Sequence, residues 1–208
     1  MIKIEKTQIM NMEGAIRGVR NPMNSWEKSD SRFDWNTCSY SLGPNDLALA
    51  KKLVKAGSDH RKFLRQIFVS MDVIAPLYWW KEMDQYKVGT TTNSCSTMHK
   101  IHAKEFTFDD FSCEKLQGVY LEQLSLTIDC LNNARDEFLD TKDKFYWWQM
   151  IQLLPSSYNQ LRTVTLNYET LLNQYHARVH HKLDEWRTYC EWIETLPYAK
   201  ELICGDEE

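Results

Sequence analysis

One short run, Arg65 to Ile74 (RQIFVSMDVI), limits the fold more than any other stretch of this chain. Ile67, Val69, Met71 and Val73 recur at the two-residue period of extended backbone, on one face of a strand. Phe68 and Ile74 add apolar weight to the opposite face, among Gln66, Ser70 and Asp72. A strand apolar on parts of both faces needs cover on both sides. Pro76 can open the following helix at its first position. That helix, Leu77 to Tyr86, is too aromatic to lie on the surface.

The flanking pattern supplies further elements. MIKIEKTQIM alternates over residues 1–12 and predicts an opening strand. Ala15 to Ser25 reads as a short helix or turn carrying Arg17 and Arg20, and Ser29 to Gly43 as a loop. Asn45 or Asp46 caps a helix that Gly57 stops after Ala56, with Leu47, Leu49, Ala50, Leu53 and Val54 facing inward. Beyond Phe108 the spacing turns helical. Asp109 or Asp110 caps a run through Leu121, Leu124, Ile128 and Leu131 toward Phe138. Asp143 to Leu154 is a second helix, ended by Pro155. Residues 156–166 hold a linker with a short extended piece, TVTL. Asn167 caps a helix through Ala177, and Leu183 to Leu196 is the last. With no repeat and no interdomain linker, the expectation is one α+β domain over residues 1–208: a small, mostly antiparallel sheet packed with several long helices.

Bulk properties exclude some functions. The chain has 208 residues, 43 % of them apolar and 12 % aromatic, enough for a full core. Its net charge of −4 supplies no basic field for a phosphate backbone, so nucleic acid is not expected as a partner. No apolar run reaches the roughly 18 residues that span a membrane. Six cysteines without a Cys-x-x-Cys pair, and no visible signal segment, read as reduced thiols in the cytoplasm.

The chemical motifs are sparse. His176 and His180 share zinc-ligand spacing on a helix, but no carboxylate completes a metal motif, and no metal is expected. Cys95 has His99 four residues on, without the strand–turn–helix context of an activated nucleophile. No catalytic residue is assigned. No glycine-rich phosphate loop occurs. Trp79–Trp80 and Trp147–Trp148 suit core or oligomer packing. The polar run Thr90, Thr91, Thr92, Asn93, Ser94 and Ser96 beside Trp79 and Trp80 is either a surface turn or a ligand loop for a planar, polar molecule such as a nucleotide or flavin.

The order of motifs resembles the flavin-dependent thymidylate synthases, the ThyX family, from about Ala15 to Leu196. AIRGVR looks like the family's opening Ala-Arg motif. LAKKLVKAGSD, HRKFLRQIFVSMDVIAP and LYWWKEMDQY look like its helix, turn and strand–helix unit, with Lys81 and Glu82 at an Arg-Gln pair. QYKVGTTTNSCSTMH aligns with the signature. There Gln85, Tyr86 and Lys87 replace Arg-His-Arg, Thr91 stands for the first Ser, and Asn93 and Ser96 match the Asn and second Ser. The closing Arg falls on Met98 or His99. In LLPSSYNQLRTVTLNYETLLNQYHAR, Leu154, Pro155, Asn167, Leu171 and Arg178 match, while the internal Arg is Glu169.

The resemblance implies a ThyX-like fold, a homotetramer, FAD as cofactor and a pyrimidine nucleotide, dUMP, as substrate. An active protein would be a flavin-dependent methyltransferase. Lys81, Tyr86, Lys87, Asn93, Ser96 and His99 would hold the cofactor, and Arg17, Arg20 and Arg178 the substrate. Glu169 changes the picture: two like charges about 4 Å apart repel by roughly 4 kcal/mol at an effective dielectric near 20. A non-catalytic protein that senses or sequesters a nucleotide on the same scaffold is the alternative. A structural protein whose tryptophan pairs form oligomer surfaces is a third reading.

Overall fold

The structure, a computed structural model, describes residues 1–205. In chain order the elements are β1 (Lys3–Met10), α1 (Met12–Val19), β2 (Arg32–Asp34), β3 (Ser39–Ser41), α2 (Pro44–Lys55), β4 (Phe68–Pro76), α3 (Leu77–Met83), β5 (Thr91–Ser94), α4 (Val119–Thr141), α5 (Lys144–Leu153), β6 (Asn159–Asn167), α6 (Tyr168–Arg178) and α7 (Asp184–Glu194). The main sheet has the order β1-β4-β6-β5, and β2 with β3 forms an antiparallel hairpin that sets Phe33 opposite Tyr40. About half the chain is helical around a small antiparallel sheet, which is the α+β class. No helix among the described residues is long and apolar enough to cross a membrane.

The residues group into two compact units. The first comprises Met1–Lys3, Asp72–Gln85 and Thr92–Thr163. Its core joins Leu124, Ile128, Leu131 and Ala134 of α4 to Met150 of α5, with Ile101, Phe106 and Phe111. The α4 residues recur every three or four positions, so they form one helical stripe. Asp143 starts α5 by accepting a hydrogen bond from the Phe145 amide at 2.9 Å. Trp79 and Trp80 are fully buried edge to face, 4.9 Å between centroids. The Trp147 ring packs against the core, while Trp148 is largely exposed.

The second unit comprises Ile4–Met71, Tyr86–Thr91 and, among the described residues, 164–205. Ala15 and Ile16 of α1, Phe63 and Leu64 of a 3-10 turn (Arg61–Gln66), Leu171 of α6, and Trp186, Tyr189 and Ile193 of α7 are buried here. Asn167 caps α6 by accepting from the Thr170 amide at 3.0 Å, and the Thr170 hydroxyl donates to the Val88 carbonyl at 3.1 Å. Gly89 sits between them at φ +70°, where a Cβ would lie 2.5 Å from Asn167 Nδ2. Only glycine fits that turn without displacing the cap.

Several elements depart from the sequence expectations. The strand predicted from Arg65 begins at Phe68, because Arg61–Gln66 closes a 3-10 turn first. Val69, Met71, Val73 and Ala75 are buried, but Phe68 is 42 % exposed and Ser70, Asp72 and Ile74 are half-buried. That strand is therefore covered fully on one face only. The expected loop 29–43 contains the β2–β3 hairpin. The helix expected from Asp109 or Asp110 begins at Val119; Phe108–Asp110 is a separate 3-10 turn, closed by reciprocal Thr107 and Asp110 bonds. The polar run after Gly89 supplies β5, and the expected linker 156–166 is mostly the nine-residue strand β6. Pro44 occupies the first turn of α2, so the helix starts ahead of its two expected caps.

Candidate functional site

A hollow of about 1150 Å³ opens within the second unit, lined mainly by residues of two stretches, one between 18 and 28 and one between 59 and 66. Leu49 and Leu53 reach it from α2, and Val19, Pro22 and Phe63 extend its apolar surface. Lys28, Lys62 and Arg65 bring positive charge, against Glu27 and Asp59. His60 completes the basic segment His60–Arg61–Lys62. The arrangement suits an apolar body with an anionic end. Among the described lining residues Ser25 carries the one hydroxyl and none is cysteine, so the walls offer binding groups without a thiol nucleophile.

A buried ion pair holds the first wall in place. Asp46, in the first turn of α2, is 0 % exposed. Its Oδ1 accepts from Arg20 Nε at 2.8 Å, and Arg20 Nη2 lies 2.7 Å away. Its Oδ2 accepts from the Ser29 and Ser31 hydroxyls at 2.7 and 2.6 Å and from the Asp30 and Ser31 amides at 3.2 and 3.1 Å. Burial alone would raise this carboxyl. The hydrogen bonds from Ser31, Ser29 and Arg20 outweigh burial and hold it at about 2. Arg20 also donates to the Lys28 carbonyl at 3.2 Å. Its guanidinium is thus committed to fixing residues 28–31 onto α2.

A second charged group is paired to the stretch that supplies Lys62 and Arg65. Arg61 Nε donates to Glu169 Oε1 at 3.3 Å and Arg61 Nη2 to Asn173 at 3.4 Å. Arg65 meets the same carboxylate through Nε on Oε2 and Nη2 on Oε1, the two-pronged match of a guanidinium to a carboxylate. Burial acts to raise the Glu169 carboxyl, but Arg65 and Arg61 hold it below the usual range. The Glu169 side chain is 12 % exposed and that of Arg65 54 %. Two arginines against one carboxylate leave the trio one charge positive. The repulsion expected from Glu169 considered by itself is thereby offset.

The residues expected to bind ligand are distributed as follows. Arg20 lines the hollow, and Arg17 is exposed on α1. Arg178 donates from Nε to Tyr86 Oη at 2.9 Å and lies over the Tyr86 and Trp186 rings, 5.6 and 4.8 Å from their centroids. Tyr86 and Arg178 are therefore brought together, while Lys87 is exposed nearby in sequence. The other four belong to the first unit. Asn93 is exposed on β5, and His99 and Lys81 are exposed. Ser96 Oγ accepts from the Met98 and His99 amides at 3.2 and 2.9 Å, which fixes the turn after β5. In that unit Arg162 lies 4.2 Å from the Trp80 ring centroid and donates to Asp84 at 2.6 Å.

Sequence reasoning missed Lys28, Lys62, Arg61 and Arg65. For the last three the signal existed as the basic run HRKFLR, which was absorbed into the approach to a strand; Lys28 had no such signal.

No protein-family model matches the sequence, and no curated protein matches it. Solved structures do. Thymidylate synthase X (ThyX) from Helicobacter pylori, with FAD and dUMP, superimposes with a TM-score of 0.70 at 15 % identity, covering 98 % of this chain and 97 % of that one. A UMP/dUMP methylase, PolB, from Streptomyces cacaoi, bound with 5-Br dUMP, gives 0.64 at 13 % identity, covering 94 % and 89 %. The chain has a ThyX-like fold, distant from these proteins in sequence.

Proposed function

We propose that this protein binds a flavin, a pyrimidine nucleotide, or both, on its ThyX-like scaffold, and that an active form methylates dUMP as a flavin-dependent enzyme. The observation that carries this reading is the hollow of about 1150 Å³ with Lys28, Lys62 and Arg65 around apolar Leu49, Leu53 and Phe63. Its chain-wide likeness to proteins crystallised with FAD and dUMP, or with 5-Br dUMP, supports the reading. The residues fit a flavin. The volume, just above the usual range of small-molecule sites, leaves room for a large ligand, the apolar side chains suit the ring, and the cations suit its phosphates. A flavin there would supply hydride and electron transfer, which side chains alone do not offer.

Arg17, Lys81, Lys87, Asn93, His99, Tyr86 and Arg178 do not line this hollow; as proposed ligand contacts they stand apart from it, while Arg20 and Ser96 serve the frame. Coverage of 98 % of the chain by one ThyX structure supports a single domain. A homotetramer in the cytoplasm completes the proposal.

The test is direct. Purified protein is titrated with FAD, followed by flavin absorbance and tryptophan fluorescence, then incubated with dUMP, methylenetetrahydrofolate and NADPH. Formation of dTMP establishes the enzyme. Absence of any spectral change with flavin, together with no product, refutes the catalytic form.

The exchange of an expected Arg for Glu169 favours the alternative, a nucleotide-binding protein without turnover. A thermal-shift screen with mono-, di- and cyclic nucleotides tests it, and no shift with any of them removes it.

A further inference from the structure

We infer that Arg65, presented by Glu169, is the residue with which the hollow distinguishes a phosphorylated ligand from its unphosphorylated parent. The inference rests on the hollow being the ligand site. Arg65 belongs to the wall, and half its side chain is exposed. Its guanidinium is oriented from behind: Nε and Nη2 are both turned onto Glu169, leaving Nη1 and the outer edge of the fork for another acceptor. Glu169 in turn is anchored by Arg61, which Asn173 also engages. Lys62 lines the same wall three residues earlier, so an anion at this end meets an ammonium and a fixed fork together.

Of the other cations in the lining, Arg20 is 7 % exposed with its guanidinium held by Asp46 and the Lys28 carbonyl, and Lys28 offers a single flexible ammonium rather than an oriented fork. The recognising charge therefore comes from the turn Arg61–Gln66, and the acid at 169 is the part that aims it. Glu169 has a second effect: it trims the positive charge that the anion experiences.

Paired probes test this without relying on turnover. FMN and riboflavin share a ring and differ by a phosphate, as do dUMP and deoxyuridine. The wild-type protein binds the phosphorylated member at least tenfold more tightly. Arg65→Gln removes most of that preference and leaves riboflavin affinity within about twofold, whereas Arg65→Lys restores part of it. Glu169→Gln, which raises the local charge by one, steepens the salt dependence of FMN binding and tightens it at low salt.

Equal weakening of both members of a pair by Arg65→Gln overturns the inference while leaving the site intact. So does a wild-type protein that does not discriminate. If none of the four probes binds, the ligand site fails and the inference with it. Circular dichroism and a urea midpoint for each variant separate these outcomes from misfolding.

Discussion

Replacing Asp46 by Asn tests the frame of the hollow. The carboxylate is wholly buried and accepts bonds from four residues, and Arg20 beside it is 7 % exposed. Asn removes the charge and turns an amide NH2 toward donors, leaving a buried guanidinium uncompensated. Breaking a buried pair by removing one partner costs about 3–5 kcal/mol. At roughly 2–4 °C per kcal/mol for a chain this long, the thermal midpoint falls by roughly 6–20 °C.

The pH dependence gives an independent estimate. Depression of the carboxyl from 3.8 to about 2 corresponds to about 2 kcal/mol. Because the folded value is lowered, that stability is fully present above about pH 4 and is lost as the pH falls through about 2. Urea unfolding of Asp46→Asn, Arg20→Met and the double variant at pH 7, with wild type followed from pH 5 to 2, measures both effects. The double variant is expected to cost clearly less than the two singles combined, since it leaves no lone charge. A loss under about 1 kcal/mol for Asp46→Asn, or strict additivity, refutes the reasoning.

Two further outcomes follow from the structure. Gly89→Ala places a methyl group 2.5 Å from Asn167 Nδ2 at φ +70°, and a destabilisation of about 1–3 kcal/mol by urea titration is expected; a neutral result would show that the cap of α6 yields freely. Under brief alkylation of native protein, Cys38, Cys95 and Cys130, all exposed, are modified ahead of Cys190 and Cys204. Burial pushes the latter two up to about 12 and about 11, so peptide mapping that finds Cys190 labelled among the first overturns this order.

Elements governed by local chemistry were legible in the sequence. Asn167 caps its helix through the expected side-chain bond, the second long helix starts at the expected place with Asp143 as its cap, and the stripe Leu124, Ile128 and Leu131 faces the core. Elements decided by pairing were not. The residues of β6 alternate weakly, and β2 and β3 are three residues each, so partners elsewhere in the chain settle their extended form.

The same distinction applies to the site. Arg178 and Tyr86, 92 positions apart, were both named from motifs and do meet. Arg65 and Glu169 are 104 positions apart, and nothing local signals that the carboxylate orients the guanidinium. Arg20 looked like a ligand cation because its buried partner, Asp46, looked like a helix cap.

β5 carries a consequence of another kind. It ends the main sheet, and its four residues, Thr91, Thr92, Asn93 and Ser94, are all exposed and polar. A longer, greasier border would invite strands from neighbouring molecules to add on, the route by which sheet proteins clump. At four residues that border offers an intruding strand few backbone groups to pair with, so the stretch that first suggests a ligand loop also helps to keep the molecules apart at high concentration.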